Sequence, residues 1–525
     1  MKNKHLFTII SLLFSTLIFA QYTAVPDTVF EQYLIDEGID TDGIINGQFL
    51  TANAIGVDFL DLDFLPVSDL TGIEAFVDLE RLDARDTNFA SADFSQNILL
   101  NQLTIVNSPL NSINLSQNIN LLTLFADNCE LSSIDVSNNI NLNQLSIDNN
   151  YLTSIDVSNL QLMSSFSLEG NNFTSLDLPL LQSLGGLIIN DNRINSLNLS
   201  NLPSLQTLEI SNNNLTEIDL SNNPQFKHLL CINNVLTQLD FTQNPLIKTV
   251  YCSSNQITNV YFGSTNYLRE FISVGNFFSS IDLSNMPELY RLYIGENINL
   301  TSIDVTQCPA LRFIICSNNN IENSIDLTQN PLLEWFISFD NPIPSIDTSQ
   351  NPLLNDFAIS NLSITQMDLS NNPLLETVIV TNMPNIEWVD LRNGNNEIID
   401  FYSLNSPNLT CVYVDDANSS DGSFVIDPQT TLVNNEEECD ALGINDFELR
   451  VLFNVFPNPV NSGFNIENYS NHSIKTTKIY AVSGKLVLEK KDNPNKIDIG
   501  HLPTGLYLVK IQTDIGEIIK KVIKE

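Results

Sequence analysis

Positive charge is scarce in this chain. Its 525 residues carry 22 lysines and arginines against 62 aspartates and glutamates, a formal net charge of −40. A face that grips nucleic acid needs a basic excess, so nucleic acid is excluded as a partner. Histidine is scarcer still: His5, His228, His472 and His501 stand far apart, which excludes a multi-histidine metal centre. Between residues 22 and 445 His228 is the single imidazole, so a Ser/His/Asp or Cys/His arrangement has one possible base, and that base reads more simply as a surface residue. Glycine-rich phosphate loops and a GxSxG elbow are missing. No cofactor, no metal and no enzymatic activity are therefore expected. After residue 20 no apolar run reaches the length of a membrane span. The chain does not lack a core: 43% hydrophobic content is too high for a disordered acidic polymer. Its length exceeds one compact core, which leaves several domains or a repeating solenoid.

Residues 1–20 read as a secretory leader. Lys2 and Lys4 form a basic start, Leu6–Ile18 is apolar apart from hydroxyl residues, and cleavage is expected between Ala20 and Gln21. Charge then divides the mature chain. Residues 22–445 hold 53 acids and nine bases, whereas residues 446–525 hold nine acids and 11 bases. So sharp a break marks a domain boundary near residue 445. Asparagine is in large excess, with about 70 copies.

The middle of the chain repeats. Leucine-like residues recur every 21 positions from Leu79 through Leu100, Leu121, Leu142, Met163, Leu184, Leu205, Phe226, Ile247 and Leu268 to Leu289, then at Leu311, Leu333, Leu354 and Leu375 with spacings of 22, 22, 21 and 21. Within a unit, apolar residues stand at offsets 0, +3 and +5, as in Leu205, Leu208 and Ile210. Offset +8 is asparagine in ten successive units from Asn150 to Asn341. A short strand would point the apolar trio inward, and the asparagine amide would bond backbone groups of neighbouring turns.

In this pattern the chain resembles the leucine-rich-repeat family, whose unit is L-x-x-L-x-L-x-x-N/C-x-L, over roughly residues 66–414. The resemblance implies a mainly β solenoid of about 15 turns with a 21–22-residue period. Residues 21–65 are read as an N-terminal cap with a short helix after Asp27, and residues 415–445 as a C-terminal cap and linker. Cys411 and Cys439 bracket a polar stretch in an exported protein, so a disulfide closing the stack is expected there. Cys129 takes the asparagine offset. Cys231, Cys252 and Cys316 share the inward offset +5 and read as small core residues, with a Cys231–Cys252 bridge left open. Cys308 falls in a turn.

From residue 446 the pattern changes to six or seven short alternating strands, expected to form a small β-sandwich. "FPNP" at Phe456–Pro459, "SGKLV" at Ser483–Val487, "LPTGLYLVKI" at Leu502–Ile511 and the closing "KKVIKE" resemble the type A C-terminal sorting domain of the type IX secretion system. That resemblance implies passage to the periplasm under the leader, then across the outer membrane through the type IX machinery. It further implies a secreted or cell-surface location, with the sorting domain commonly removed and the passenger released or attached to lipopolysaccharide.

Two acidic features invite a metal reading. Asp40 and Asp42 in "DTDG" look like the start of a calcium loop, but the remaining ligands are missing and a polar turn is favoured. On the return side Asp135, Asp156 and Asp177 recur, as do Asp219, Asp240, Asp282, Asp304, Asp326, Asp347, Asp368 and Asp390. They read as a solvated face ahead of divalent-ion binding.

The best functional clue is the outward face of the strands, at offsets +1, +2, +4 and +6. Five of the nine bases between residues 22 and 445 fall there in consecutive units: Lys227, Lys248, Arg269, Arg291 and Arg312. Tyr290 shares offset +1. Offset +4 runs Leu230, Tyr251, Ile272, Tyr293, Ile315, Ile337, Ala358 and Ile379, and offset +2 adds His228, Phe313 and Trp335. In earlier units +4 is mostly polar, as at Asp83, Thr104 and Ser167. An apolar stripe beside a basic ladder marks an interaction site. Strand propensity alone, with bases neutralising nearby carboxylates, would give a similar stripe. The expectation is an exported binding protein that recognises a protein or glycan through Lys227, His228, Lys248, Tyr251, Arg269, Tyr290, Arg291, Tyr293, Arg312, Phe313 and Trp335. A structural or adhesive surface component without a defined ligand site is the alternative.

Overall fold

Three-residue strands cannot stand alone, and here each is held by the strand one turn away. Thr207–Glu209 pairs in parallel with His228–Leu230, with Leu208 opposite Leu229. The middle residue points inward, and Leu205, Leu208 and Ile210 are fully buried, each contributing about 1.5–3 kcal/mol. Two residues beyond, the backbone enters the left-handed region. Asn107, Asn128, Asn149, Asn212 and Asn233 have φ from 51° to 58°, and Gly170 and Gly275 take the same place, since asparagine and glycine tolerate it best. The next residue is the asparagine of offset +8. Asn213 Nδ2 donates to the carbonyl of Ile189 at 2.9 Å, and its Oδ1 accepts from the amide of Ile194 at 2.9 Å.

A computed structural model describes residues 21–419, 422–442, 452–469, 472–491, 496–513 and 516–525. The expected leader and the charge boundary near residue 445 lie outside the described residues. The chain divides into two units, up to Leu300 and from Thr301.

In the first unit, helix Thr28–Asp36 starts where Asp27 caps it, accepting from Val29 and Phe30 amides at 2.9 and 3.0 Å. The other Asp27 oxygen accepts from Ser68, which ties the helix to the first turns. Asp42 builds the polar turn, accepting from Ile44 N–H and Asn46 Nδ2. Twelve parallel strands follow, one per turn, from Phe59–Asp61 to Arg291–Tyr293.

The second unit continues with six strands, from Phe313–Ile315 to Ser423–Ile426. The total is eighteen turns rather than fifteen. Strand Phe59–Asp61 precedes the first leucine in phase, and Asp400–Ser403 and Ser423–Ile426 follow the last. The "NIEWVDLRNGNN" segment, whose phase is ambiguous in sequence, places Trp388–Asp390 on the return side, in a sheet with Gln366–Asp368, Cys411–Tyr413 and Thr431–Val433. Cys411 is bonded to Cys439 of helix Glu436–Leu442, with Cα atoms 5.8 Å apart. Beside them Arg392 stacks over Tyr413 at 4.8 Å and pairs with Asp390 and Glu436.

The last seven strands form two antiparallel sheets. One contains Phe453–Phe456, Gly463–Asn468 and Lys496–Asp498. The other contains Leu486–Lys491, Ile474–Ala481, Gly505–Thr513 and Glu517–Lys524. Phe453, Phe464, Ile479, Ile497, Val509, Ile511 and Val522 share one core.

Candidate binding face

The strand geometry turns the middle residue in and its two neighbours out, so offsets +2 and +4 face the same side. In the first unit Lys227, His228, Lys248, Tyr251, Arg269, Tyr290, Arg291 and Tyr293 all reach the surface in part. They gather around a residue the sequence pattern did not single out, Glu270. Its Oε2 accepts from the Tyr251 hydroxyl and from Arg291 at 2.7 Å, and its Oε1 accepts from the Tyr290 hydroxyl at 2.5 Å. The Arg291 guanidinium lies 5.4 Å from the Tyr290 ring and 5.8 Å from that of Tyr293. Burial opposes ionisation of Glu270, but the Tyr251 and Tyr290 hydrogen bonds and the Arg291 charge outweigh it and hold the carboxyl below its ordinary value. Burial, reinforced by the bond to Glu270, pushes the Tyr251 hydroxyl up to about 12. The only signal for Glu270 in the sequence is an acid directly after a base at the start of a strand.

The second unit has its own cluster. Phe313 and Trp335 meet edge to face with ring centres 5.4 Å apart. Arg312 lies 5.8 Å from the Phe313 ring and pairs with Glu334. Trp335 is 38% exposed.

The expected basic ladder is only partly open. Arg269 pairs with Glu288 at 3.0 Å, Arg291 with Glu270 and Arg312 with Glu334. Glu270 and Glu334 face Arg291 and Arg312 at the same offset one turn away, and Glu288 lies just ahead of the next unit's first leucine, which a reading of the bases alone overlooks. The stripe is also narrower than expected. Ala358 is buried, and so are Asp83, Thr104 and Ser167 at the same offset.

Other features resolve into structural roles. Return-side aspartates close local turns: Asp135, Asp219, Asp282 and Asp326 accept the amide two residues on at 2.9–3.0 Å. A second buried asparagine series, unnoticed in the sequence, lies three residues before the first leucine in about half of the units. Asn118, Asn139, Asn223 and Asn244 each donate to two carbonyls of the preceding turn. Cys129, Cys231, Cys252 and Cys316 are free and buried, so Cys231 and Cys252 remain separate thiols, and Cys308 is buried in the core rather than in an open turn. Burial pushes Cys252 and Cys308 up to about 12 and Cys129 and Cys316 to about 11, far from a reactive thiolate. Among the described residues no group of three or more acidic, histidine or cysteine side chains is placed to hold a metal ion. Nor is any helix there long and apolar enough to cross a membrane.

Residues 454–525 match the family model described as a secretion system C-terminal sorting domain. No curated protein sequence matches the chain. Solved structures do. The functional domain of InlJ from Listeria monocytogenes has a TM-score of 0.63 at 20% identity, covering 96% of this chain and 99% of that one. A leucine-rich-repeat protein of Leptospira interrogans has a TM-score of 0.56 at 21% identity, covering 73% and 97%. YopM from Yersinia enterocolitica has a TM-score of 0.53 at 24% identity, covering 69% and 78%. At these identities the likeness shows the fold. The chain is a leucine-rich-repeat solenoid joined to a type IX secretion sorting domain, a combination that marks it as a secreted or cell-surface protein.

Proposed function

We propose that the solenoid is a non-enzymatic recognition protein, delivered outside the cell by its sorting domain, whose strand face binds a protein or glycan partner. The observation that carries this reading is the Glu270 cluster. Two tyrosines and an arginine are fixed around one carboxylate on an outward face, with Tyr293 beside the arginine, in a geometry set before any partner arrives, and preformed aromatic and arginine groups dominate binding energy at interfaces. The Phe313–Trp335 pair supports the same role for the second unit. A glycan and protein array screen should identify the partner. Tyr293→Ala and Trp335→Ala should then each weaken it by about 2 kcal/mol or more where the residue is a hot spot, with thermal stability nearly unchanged. If both variants bind every identified partner as the parent does, the stripe is strand propensity and the structural or adhesive role takes its place.

A further inference from the structure

Of the nine bases between residues 22 and 445, Arg81, Arg85, Arg269, Arg291, Arg312 and Arg392 are paired with carboxylates. Among the described residues Arg193, Lys227 and Lys248 form no ion pair, and the two lysines are neighbours. The Lys248 amide donates to the Lys227 carbonyl at 2.8 Å, so two half-buried lysine side chains rise from strands about 4.8 Å apart. His228 stands beside them. Lys227 Nζ reaches an uncharged partner, Gln206 Oε1, at 2.7 Å. Glu270 acts electrostatically on His228, but its two oxygens are already filled by Tyr251, Tyr290 and Arg291. Among the described residues its ion pair is with Arg291 and not with either lysine. Like charges side by side on adjacent strands are unfavourable. In a segment with 53 acids a neutralising side chain would be easy to supply, and none is.

Resting on the strand-face reading above, we infer that Lys227, His228 and Lys248 form an anion subsite that takes the carboxylate or sulfate of an acidic saccharide. The class follows from what adjoins the cations. The Tyr251 and Tyr290 hydroxyls are tied to Glu270, which fixes their rings, and Arg291 braces Tyr290 and Tyr293. A sugar acid offers an anion to the lysines and a flat C–H face to the rings; an acidic peptide would use the cations alone. Burial, with the Lys248 and Lys227 charges, holds His228 below its ordinary value, so near neutral pH it is an uncharged N–H donor.

The test is titration calorimetry of the full chain with dextran sulfate, polygalacturonate, neutral dextran and polyaspartate. Dextran sulfate or polygalacturonate should bind, less tightly as salt rises. Neutral dextran should not bind, and polyaspartate should bind at least about tenfold more weakly. Lys227→Ala with Lys248→Ala should weaken the acidic saccharide by about tenfold or more, and Lys227→Arg with Lys248→Arg should retain it. Lys490→Ala with Lys491→Ala, on the basic C-terminal domain, should leave it unchanged. The proposal is overturned if neither acidic saccharide binds, if the Lys227/Lys248 change has no effect, if the Lys490/Lys491 change removes binding instead, or if polyaspartate binds as well. Any of these can occur while Tyr293→Ala and Trp335→Ala still abolish capture of the array partner, which separates failure of the anion subsite from failure of the strand-face reading.

Discussion

Turns 121–190 and turns 226–293 are built on one backbone, with the same leucine positions, the same left-handed corner and the same buried asparagines, yet their faces carry opposite chemistry. In the first stretch Asp127 accepts from the Ser146 hydroxyl at 2.6 Å and the Asp148 amide at 2.8 Å. Asp148 in turn accepts from the Ser167 hydroxyl and the Glu169 amide at 2.6 and 2.7 Å. In the second, Ser211 and Ser253 accept the corresponding amides, of Ile232 and Val274, at 3.1 and 3.0 Å. Offset +6 therefore supplies a hydrogen-bond acceptor where the next turn's amide calls for one, while Ile232 and Val274, at the same offset, supply none. Aspartate meets that demand and loads the face with negative charge. Serine meets it and leaves the face to lysines, arginines and tyrosines. The scaffold fixes neither an acceptor in every turn nor the charge, so the difference between the two faces is free to serve recognition.

If only the faces differ, changes to the shared interior must cost the same in both stretches. The largest effect should come from Leu145→Ala and Leu292→Ala, each of which empties a buried core position and should destabilise by about 2–5 kcal/mol through the cavity left behind. Denaturant unfolding measures both. A much smaller cost at Leu292 would mean that the second stretch is also looser inside, and the comparison would break. Next come Asn139→Ala and Asn244→Ala. Each removes an amide that donates to two carbonyls at 2.8–3.1 Å, and should cost about 1–3 kcal/mol in either stretch. Asn139→Leu should cost less than Asn139→Ala, because the next turn already holds Leu160, fully buried, at the same place.

The interior was the readable part of this molecule, because a period repeated many times averages out local exceptions. Leu205, Leu208 and Ile210 declared their burial by spacing alone. The asparagines at offset +8 did so by recurrence, although the series led by Asn118 and Asn139 was hidden by breaks at Leu160, Leu181 and Leu202. The turns at Asp400 and Ser423 were lost because successive strands there begin 23 residues apart, which moves the leucine off phase. The outward strand face was legible as a list of positions but not as a set of partners. Glu270 and Glu334 share the offset of the base they neutralise one turn away and Glu288 does not, so the pairs emerge only when acids are read alongside bases across neighbouring turns. A ladder read one offset at a time shows charges; the pairing between turns decides which of them remain available.

The smallest predicted effect is also the one that separates the two stretches by sign. Burial, with the charge of Asp127 adding to it, pushes Asp148 up to about 6 from an ordinary 3.8. Between those values the folded protein holds a proton the unfolded chain has released, so stability falls as pH rises from about 4 to 6 and the penalty is complete above. Discounted for solvent screening, it amounts to about 1 kcal/mol. Glu270 behaves in the opposite sense. Its folded value lies below its ordinary 4.5, so its contribution is present above that value and is lost as pH falls through the folded one. Acidification from pH 7 to pH 3 should therefore tighten turns 142–169 and, below about pH 4.5, loosen turns 247–293. Native-state hydrogen exchange, corrected for intrinsic rates, resolves the two stretches in one sample. Asp148→Asn should flatten the first response and raise stability at pH 7, whereas Glu270→Gln should flatten the second and lower it. Protection that moves in the same direction in both stretches would show that net charge governs the acid response, and that the local environments of Asp148 and Glu270 do not.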